Sequence, residues 1–260
     1  MILCKYDDPF CPCQDGLLCH YEGHKAMSTE HRHIPIYHGW DDREEFGVHA
    51  FCSSVIRRSS SPVSLIPLRA EMFASFYPPK QRDGSNSFTY TRFLIPFLQD
   101  YRGWAIFADG ADMVCLADIA ELWALRDEYM AVQVVGHSYK TRHPRKYLGT
   151  DMEADNRDYY RKNWSSLMLI NCANYGWRQM KPESVAATPG ERLHRFDFLD
   201  ETRIGQLPAV WNWLPQEFGS NPDAKLIHWT AGIPGFPAYA NTQMAGEWAR
   251  EALRVTHVTK

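Results

Sequence analysis

Residues 103–123, "GWAIFADGADMVCLADIAELW", hold the reading that decides the fold. An apolar run from Trp104 stops at two acids, Asp109 and Asp112, set three residues apart around Gly110, and a third acid, Asp118, opens a stretch with helical spacing. Strand, acidic turn, helix is the simplest parse, with Asp118 as the N-cap. Two carboxylates held close together away from water repel each other, and the arrangement becomes cheap when a hard divalent cation sits between them. The plain alternative is that Asp serves as turn former and helix cap, and Asp118 needs no other role.

The same alternation extends in both directions. "IPIYHG" (34–39) is an apolar run stopped by Gly39, and "DDREEFGVHAFCSSVIRRS" (41–59) begins with acids and ends on Arg57 and Arg58, as a helix aligned with its dipole should. "VSLIPL" (63–68) is a second apolar run, and "FTYTRFLIPFLQDY" (88–101) reads as a helix carrying Tyr90 and Arg92. "MAVQVV" (130–135), "SLMLIN" (166–171) and "AKLIHW" (224–229) are further short runs, apolar on both faces. Such strands between helices predict an α/β sheet covered on both sides. Ligands of these sheets bind beyond the carboxyl ends of the strands, where Asp109 and Asp112 stand. His228, ending a later apolar run, offers a third metal ligand.

Composition narrows the function classes. The chain has 260 residues, 45% of them hydrophobic, with nine Trp, thirteen Tyr and thirteen Phe, which fits one large folded domain with aromatic-lined clefts. A net charge of −3 with scattered Lys and Arg lacks the basic footprint of a nucleic-acid binder. No apolar stretch approaches the ~18 residues of a membrane helix, and the N-terminus lacks the apolar core of a signal peptide, so the expectation is a soluble, cytoplasmic protein. Residues 1–33 differ in texture: Cys4, Cys11, Cys13, Cys19, His20 and His24 could ligate a structural Zn²⁺, although their spacing is not a paired C-x-x-C pattern, and a loosely folded leader is the alternative. The expected organisation is this appendage followed by a single domain over 34–260. There is no G-x-S-x-G elbow, no P-loop, no G-x-G-x-x-G and no H-E-x-x-H.

The order of motifs carries a resemblance. Tyr-x-Arg (Tyr90, Arg92), the strand-ending acids followed by "ADIAELW", then "SSLMLIN", "WNW" (211–213) and "KLIHWTAG" (225–232) resemble the GT-A-fold retaining glycosyltransferases related to glycogenin and to the bacterial lipopolysaccharide galactosyl- and glucosyltransferases, glycosyltransferase family 8. The match runs from about Ile34 to about Tyr239. It implies a Rossmann-related, mixed and mostly parallel central sheet with helices on both faces. It further implies a metal-dependent hexosyltransferase in which Asp109, Asp112 and His228 hold Mn²⁺ (or Mg²⁺) against the diphosphate of a nucleotide-sugar, a UDP-sugar, and pass the sugar with retention to a glycan or other hydroxyl acceptor.

Carried over by position, the loop "YHGWDD" receives the nucleoside through Tyr37, His38, Trp40 and Asp42. Tyr90 and Arg92 lie against the donor, Asn163, Ser165, Ser166 and Asp200 face the donor sugar, and Trp211 and Asn212 line the acceptor side. Asp112, through the metal, and Arg92 stabilise the departing phosphate. The chain departs from the family in two places. It has D-x-x-D where the family has D-x-D, and "PGF" (234–236) where the family has K-P-W, which leaves Arg92 or Lys162 for the diphosphate contact. Two alternatives follow: a catalytically silent module that binds sugar or a partner, and a metal-assisted phosphohydrolase.

Overall fold

The computed structural model describes residues 33–77, 86 and 88–256. Cys4, Cys11, Cys13, Cys19, His20 and His24, the expected zinc ligands, lie outside the described residues, as does most of the loop 78–87. Strands β1 (Ile34–Gly39), β2 (Val63–Leu68), β3 (Trp104–Ala108), β4 (Met113–Cys115), β5 (Val132–Val134), β6 (Arg145–Lys146), β7 (Ala154–Asp155), β8 (Leu167–Asn171), β9 (Ile204–Gln206) and β10 (Leu226–His228) form three sheets among the described residues. The central sheet has the order β2-β1-β3-β8-β5-β9. Three of its five pairings are parallel, and β8 runs antiparallel to both neighbours, β3 and β5. The sheet is therefore mixed and mostly parallel.

Neighbouring residues on a strand point to opposite faces, so each strand serves two cores. Tyr37, Phe107, Met168 and Ile170 join Phe93, Trp177 and Phe196 on one face. Ile36, Ile106 and Leu169 join Phe51, Val55, Ile119 and Trp211 on the other. This is why the strand sequences are apolar throughout instead of alternating. The helix Glu45–Arg58 covers the second face, and its last-turn Arg57 and Arg58 grip Glu251 of the C-terminal helix Ala245–Thr256 at 2.7 and 2.8 Å. Asp118 caps the helix Ile119–Trp123, accepting from the Ala120 amide at 2.9 Å, as its position predicts.

Two expectations are corrected. "AKLIHW" does not join the central sheet: β10 pairs antiparallel with β4, His228 opposite Met113, in a separate two-stranded sheet. A short run buried on both faces does not specify its partner, and here the helices 45–58 and 245–256 supply the second cover. "FTYTRFLIPFLQDY" is not one helix. Thr91–Leu94 is a tight 3-10 turn and Ile95–Leu98 a single α-turn. Pro96 lacks the amide that a continuous helix would need and is tolerated only in the opening turn. No helix among the described residues is long and apolar enough to cross a membrane.

Candidate active site

Strand β3 ends at the acidic corner. The Asp109 amide donates to the Ser166 carbonyl at 2.8 Å, which locks the first acid to the start of β8. The chain then turns through Gly110 at φ +85°, a left-handed conformation that glycine adopts without strain, and the Met113 amide closes the turn on the Gly110 carbonyl at 3.0 Å. That tight turn takes up the additional residue of D-x-x-D and brings Asp112 beside Asp109. Room for it comes from the facing helix, where a Cβ at Gly47 would stand 2.0 Å from the Ala111 carbonyl oxygen. Glycine at 47 is a packing requirement.

His228, at the end of β10, completes the corner. Its Nε2 lies 3.0 Å from Asp112 Oδ2 and 3.8 Å from Asp109 Oδ2, and one ligand atom from each of the three residues fits within 4.8 Å of the others. The ring is oriented from behind. Asn212 Nδ2 donates to Ser166 Oγ at 2.9 Å, which turns Asn212 Oδ1 to accept from His228 Nδ1 at 3.0 Å. Nδ1 therefore carries hydrogen and Nε2 faces the acids, the arrangement that outer partners impose on metal-binding histidines. Burial pulls the imidazole towards neutrality, but Asp112 and Asp109 outweigh it and hold the His228 pKa above its ordinary value. Burial, with Asp112 adding to it against Arg92, pushes the Asp109 carboxyl up to about 6.

The donor set fits a divalent cation. Asp109 Oδ1 and Asp112 Oδ1 are both buried without a hydrogen-bond partner. Asp109 Oδ1 does lie 2.7 Å from Arg92 Nη1, an ion pair. Two carboxylates and one imidazole, with lone pairs left over, suit an ion of the Mn²⁺ or Mg²⁺ kind that keeps positions open for further oxygen ligands. Thr230 Oγ1, in the adjacent wall, is another buried oxygen without a partner.

The corner opens into a polar cavity of about 750 Å³. Of the residues expected from sequence, Tyr90, Arg92, Asn163, Ser165 and Ser166 line it together with Asp109, Asp112 and His228. Arg92 is held by the Thr89 carbonyl (Nε, 3.1 Å), the Ser165 carbonyl (Nη1, 2.9 Å) and the face of Phe107 (4.6 Å to the centroid). Asn163 sits at φ +63° and donates to the Tyr139 hydroxyl at 2.6 Å.

The other candidates lie outside the cavity wall. Tyr37 is core, its hydroxyl accepting from Gln99 at 2.9 Å, because the strand's alternation turns it into the sheet face. His38 is buried beneath the acidic turn, its Nε2 3.8 Å from Cys52 Sγ. Trp40 donates to Asp42 at 2.8 Å, and Asp42 pairs with Arg69 at 2.6 Å, so these two form a surface cluster. Asp200 is an N-cap, accepting from the Thr202 amide at 2.9 Å. Trp211 is 2% exposed and packs in the second core, and Asn212 acts behind His228 instead of on an acceptor.

Sequence reading missed three groups. Glu44 is 1% exposed, and burial, reinforced by Asp112 and Asp41, holds its carboxyl well above the usual range; its place among first-turn acids masked it. His194 lines the cavity and meets Ser165 Oγ at 2.7 Å through Nδ1, and burial, with Arg92 and Lys146 nearby, pushes it down to about 3, so it is a neutral imidazole. Lys146, on β6, lines the same cavity. Neither His194 nor Lys146 stands in a motif, so no sequence signal marked them.

No family model matches the chain. It is similar to several solved structures: the WbbM bifunctional glycosyltransferase (13% identity, TM-score 0.61, 86% of this chain and 50% of that one), the galactosyltransferase LgtC with donor and acceptor sugar analogs (13%, 0.55, 87% and 98%), and GlyE of Streptococcus pneumoniae TIGR4 (14%, 0.55, 85% and 60%). The chain spans about half the length of WbbM. At these identities the likeness shows the fold, which is the GT-A fold of glycosyltransferases. Among curated proteins, Protein CDI of Arabidopsis thaliana is 35% identical over 232 residues, 86% of this chain and 88% of the relative. That extent of identity places the chain in the family of the Arabidopsis Protein CDI, built on the GT-A fold.

Proposed function

We propose that the protein is a metal-dependent glycosyltransferase that takes a hexose from a nucleotide-sugar, a UDP-sugar, and passes it to a hydroxyl acceptor with retention of configuration. The observation that carries this is the Asp109–Asp112–His228 corner, with a buried Asp112 oxygen that has no hydrogen-bond partner, opening from the end of β3 into a polar cavity within a GT-A frame. WbbM, LgtC and GlyE, glycosyltransferases with the same fold, support the reading.

Asp109, Asp112 and His228 Nε2 would hold the cation, with Mn²⁺ the ion best matched to two carboxylates and one imidazole. A divalent ion there supplies charge to a diphosphate leaving group as its bond to the sugar breaks. Arg92, fixed by Thr89 and Ser165, neutralises Asp109 and contributes to the same field without rearranging. Asn212 keeps Nδ1 of His228 protonated, so that Nε2 stays directed at the acids. Asn163, Ser165 and Ser166 present hydroxyl and amide groups of the size that reads sugar hydroxyls, and the neutral His194 behind Ser165 keeps that wall able both to give and to accept hydrogen bonds.

Incubation of the protein with Mn²⁺ and a panel of UDP-hexoses, read as UDP released, tests the proposal. Turnover that Asp112→Asn abolishes without loss of fold is the expected result. Hydrolysis of a simple phosphomonoester with no release from any UDP-hexose would point instead to a phosphohydrolase. Sugar binding indifferent to metal would mark a silent module.

A further inference from the structure

Ser165 and His194 stand apart from the other polar groups of the cavity wall. Ser165 Oγ lies 2.7 Å from His194 Nδ1, and both residues line the cavity. Arg92 ties the pair to the acidic corner: the same Nη1 lies 2.7 Å from Asp109 Oδ1 and donates to the Ser165 carbonyl at 2.9 Å. The Phe93 ring packs edge-to-face on the imidazole, with centroids 5.3 Å apart, and holds its plane. The neighbouring polar groups are committed elsewhere. Asn163 Nδ2 donates to Tyr139, and Ser166 Oγ donates to the Asn163 carbonyl at 2.7 Å while accepting from Asn212. Ser165 Oγ has only His194 as a hydrogen-bond partner among the described residues, although a hydroxyl offers one donor and two acceptor sites.

His194 Nε2 has no partner among the described residues either, and it is not sealed from solvent as His137 Nε2 is, so it opens on the cavity. A serine bonded to a histidine in a cavity wall is also the pattern of an activated nucleophile. That role needs an imidazole able to take a proton near neutral pH, and burial, with Arg92 and Lys146 nearby, pushes His194 down to about 3. The pair is therefore a fixed hydrogen-bonding surface without charge. In a neutral imidazole one nitrogen carries hydrogen and the other accepts, so either tautomer turns one donor and one acceptor to the cavity. These are Nε2–H with an Oγ lone pair, or the Oγ hydrogen with the Nε2 lone pair. A sugar hydroxyl, which both gives and accepts, satisfies such a surface, and a deoxy sugar leaves its groups unpaired. We propose that Ser165 and His194 together select the transferred hexose by one of its free hydroxyls, so that the donor must be hydroxylated at that position and the matching deoxy sugar is rejected. This rests on the nucleotide-sugar reading above.

The test is calorimetric titration, into the Mn²⁺-loaded full chain, of UDP, of UDP-glucose and UDP-galactose, and of the monodeoxy analogues of whichever hexose donor binds more tightly. Wild type, Ser165→Ala, His194→Gln and His194→Phe are compared. In wild type one deoxy analogue should bind at least about tenfold more weakly than its parent. Ser165→Ala and His194→Phe should erase that discrimination and weaken the parent donor, while UDP alone binds as in wild type. His194→Gln, which keeps a donor and an acceptor, should retain part of the discrimination. Should His194→Phe fail to fold, Ser165→Ala decides the question. Discrimination that survives these substitutions, no deoxy analogue rejected by wild type, or equal losses for UDP and UDP-hexose would overturn the proposal and leave the nucleotide reading standing on UDP itself. Wild type that binds no UDP would overturn both.

Discussion

The two walls of the cavity are made differently. One is the corner at the ends of β3 and β10, where the acids and the histidine are pinned by backbone bonds to β8, by a turn closed on Gly110 and by the Ser166–Asn212–His228 chain. The other is the 145–163 segment, with two strands of two residues each and three non-glycine residues at positive φ: Tyr147, Arg161 and Asn163. The first wall is the edge of a sheet and gains its precision from two cores. The second gains its shape from local turns and from clamps such as the Tyr239 hydroxyl, which accepts from the Leu148 amide. Fixed charge on the rigid wall and recognition on the looped one is the division that loops on a scaffold permit.

Substitutions can break this contrast. The largest effect is expected at Asp112→Asn, which removes a ligand charge from the rigid wall: Mn²⁺-dependent UDP binding should fall by more than about a hundredfold while circular dichroism stays native. Gly47→Ala should come next. Its methyl would collide with the Ala111 carbonyl, so the D-x-x-D turn must shift or the helix retreat, and chemical denaturation should report a loss of about 2–3 kcal/mol. Asn212→Ala leaves all three ligands in place but frees the His228 ring, and Mn²⁺ affinity should drop about 10–100-fold. An unchanged affinity would show that the ring needs no support from behind.

A pH series sharpens the comparison from the other side. In the metal-free corner Asp109 sits at about 6 and the His228 pKa is held above its ordinary value, so a falling pH puts protons where the cation must bind. Mn²⁺ binding should therefore weaken as pH falls from 7 to 5, by up to about tenfold per unit for each proton displaced. A flat profile over that range would mean that neither group ligates the ion. The smallest effect belongs to Asp200→Ala on the far loop, which removes an exposed cap: a small loss of stability in chemical denaturation and no change in UDP affinity.

The same contrast explains what the sequence disclosed. β1 and β2 occupy the residues read as strands because an apolar run bounded by Gly or Pro leaves few other structures open. That Asp109, Asp112 and His228 gather at one corner was legible because each stands where an apolar run ends. The partner of β10 was not legible, since burial on both faces erases the period that would name a neighbour. Tyr37 and Trp211 were misplaced for a related reason: an aromatic residue beside a motif looks the same whether it faces ligand or core. Lys146, His194 and Glu44 reach the site only through tertiary packing, 34, 82 and 68 residues from Asp112, by subtraction of their sequence positions, and nothing local marks them.

The central claim is that the acidic corner binds a divalent ion and a nucleoside diphosphate together. Calorimetric titration of UDP into the wild-type protein, with and without Mn²⁺, tests it before any acceptor is known. The account predicts UDP binding that is strong with Mn²⁺ and at least about tenfold weaker without it. Equal binding in both conditions, or none by folded protein, would contradict it.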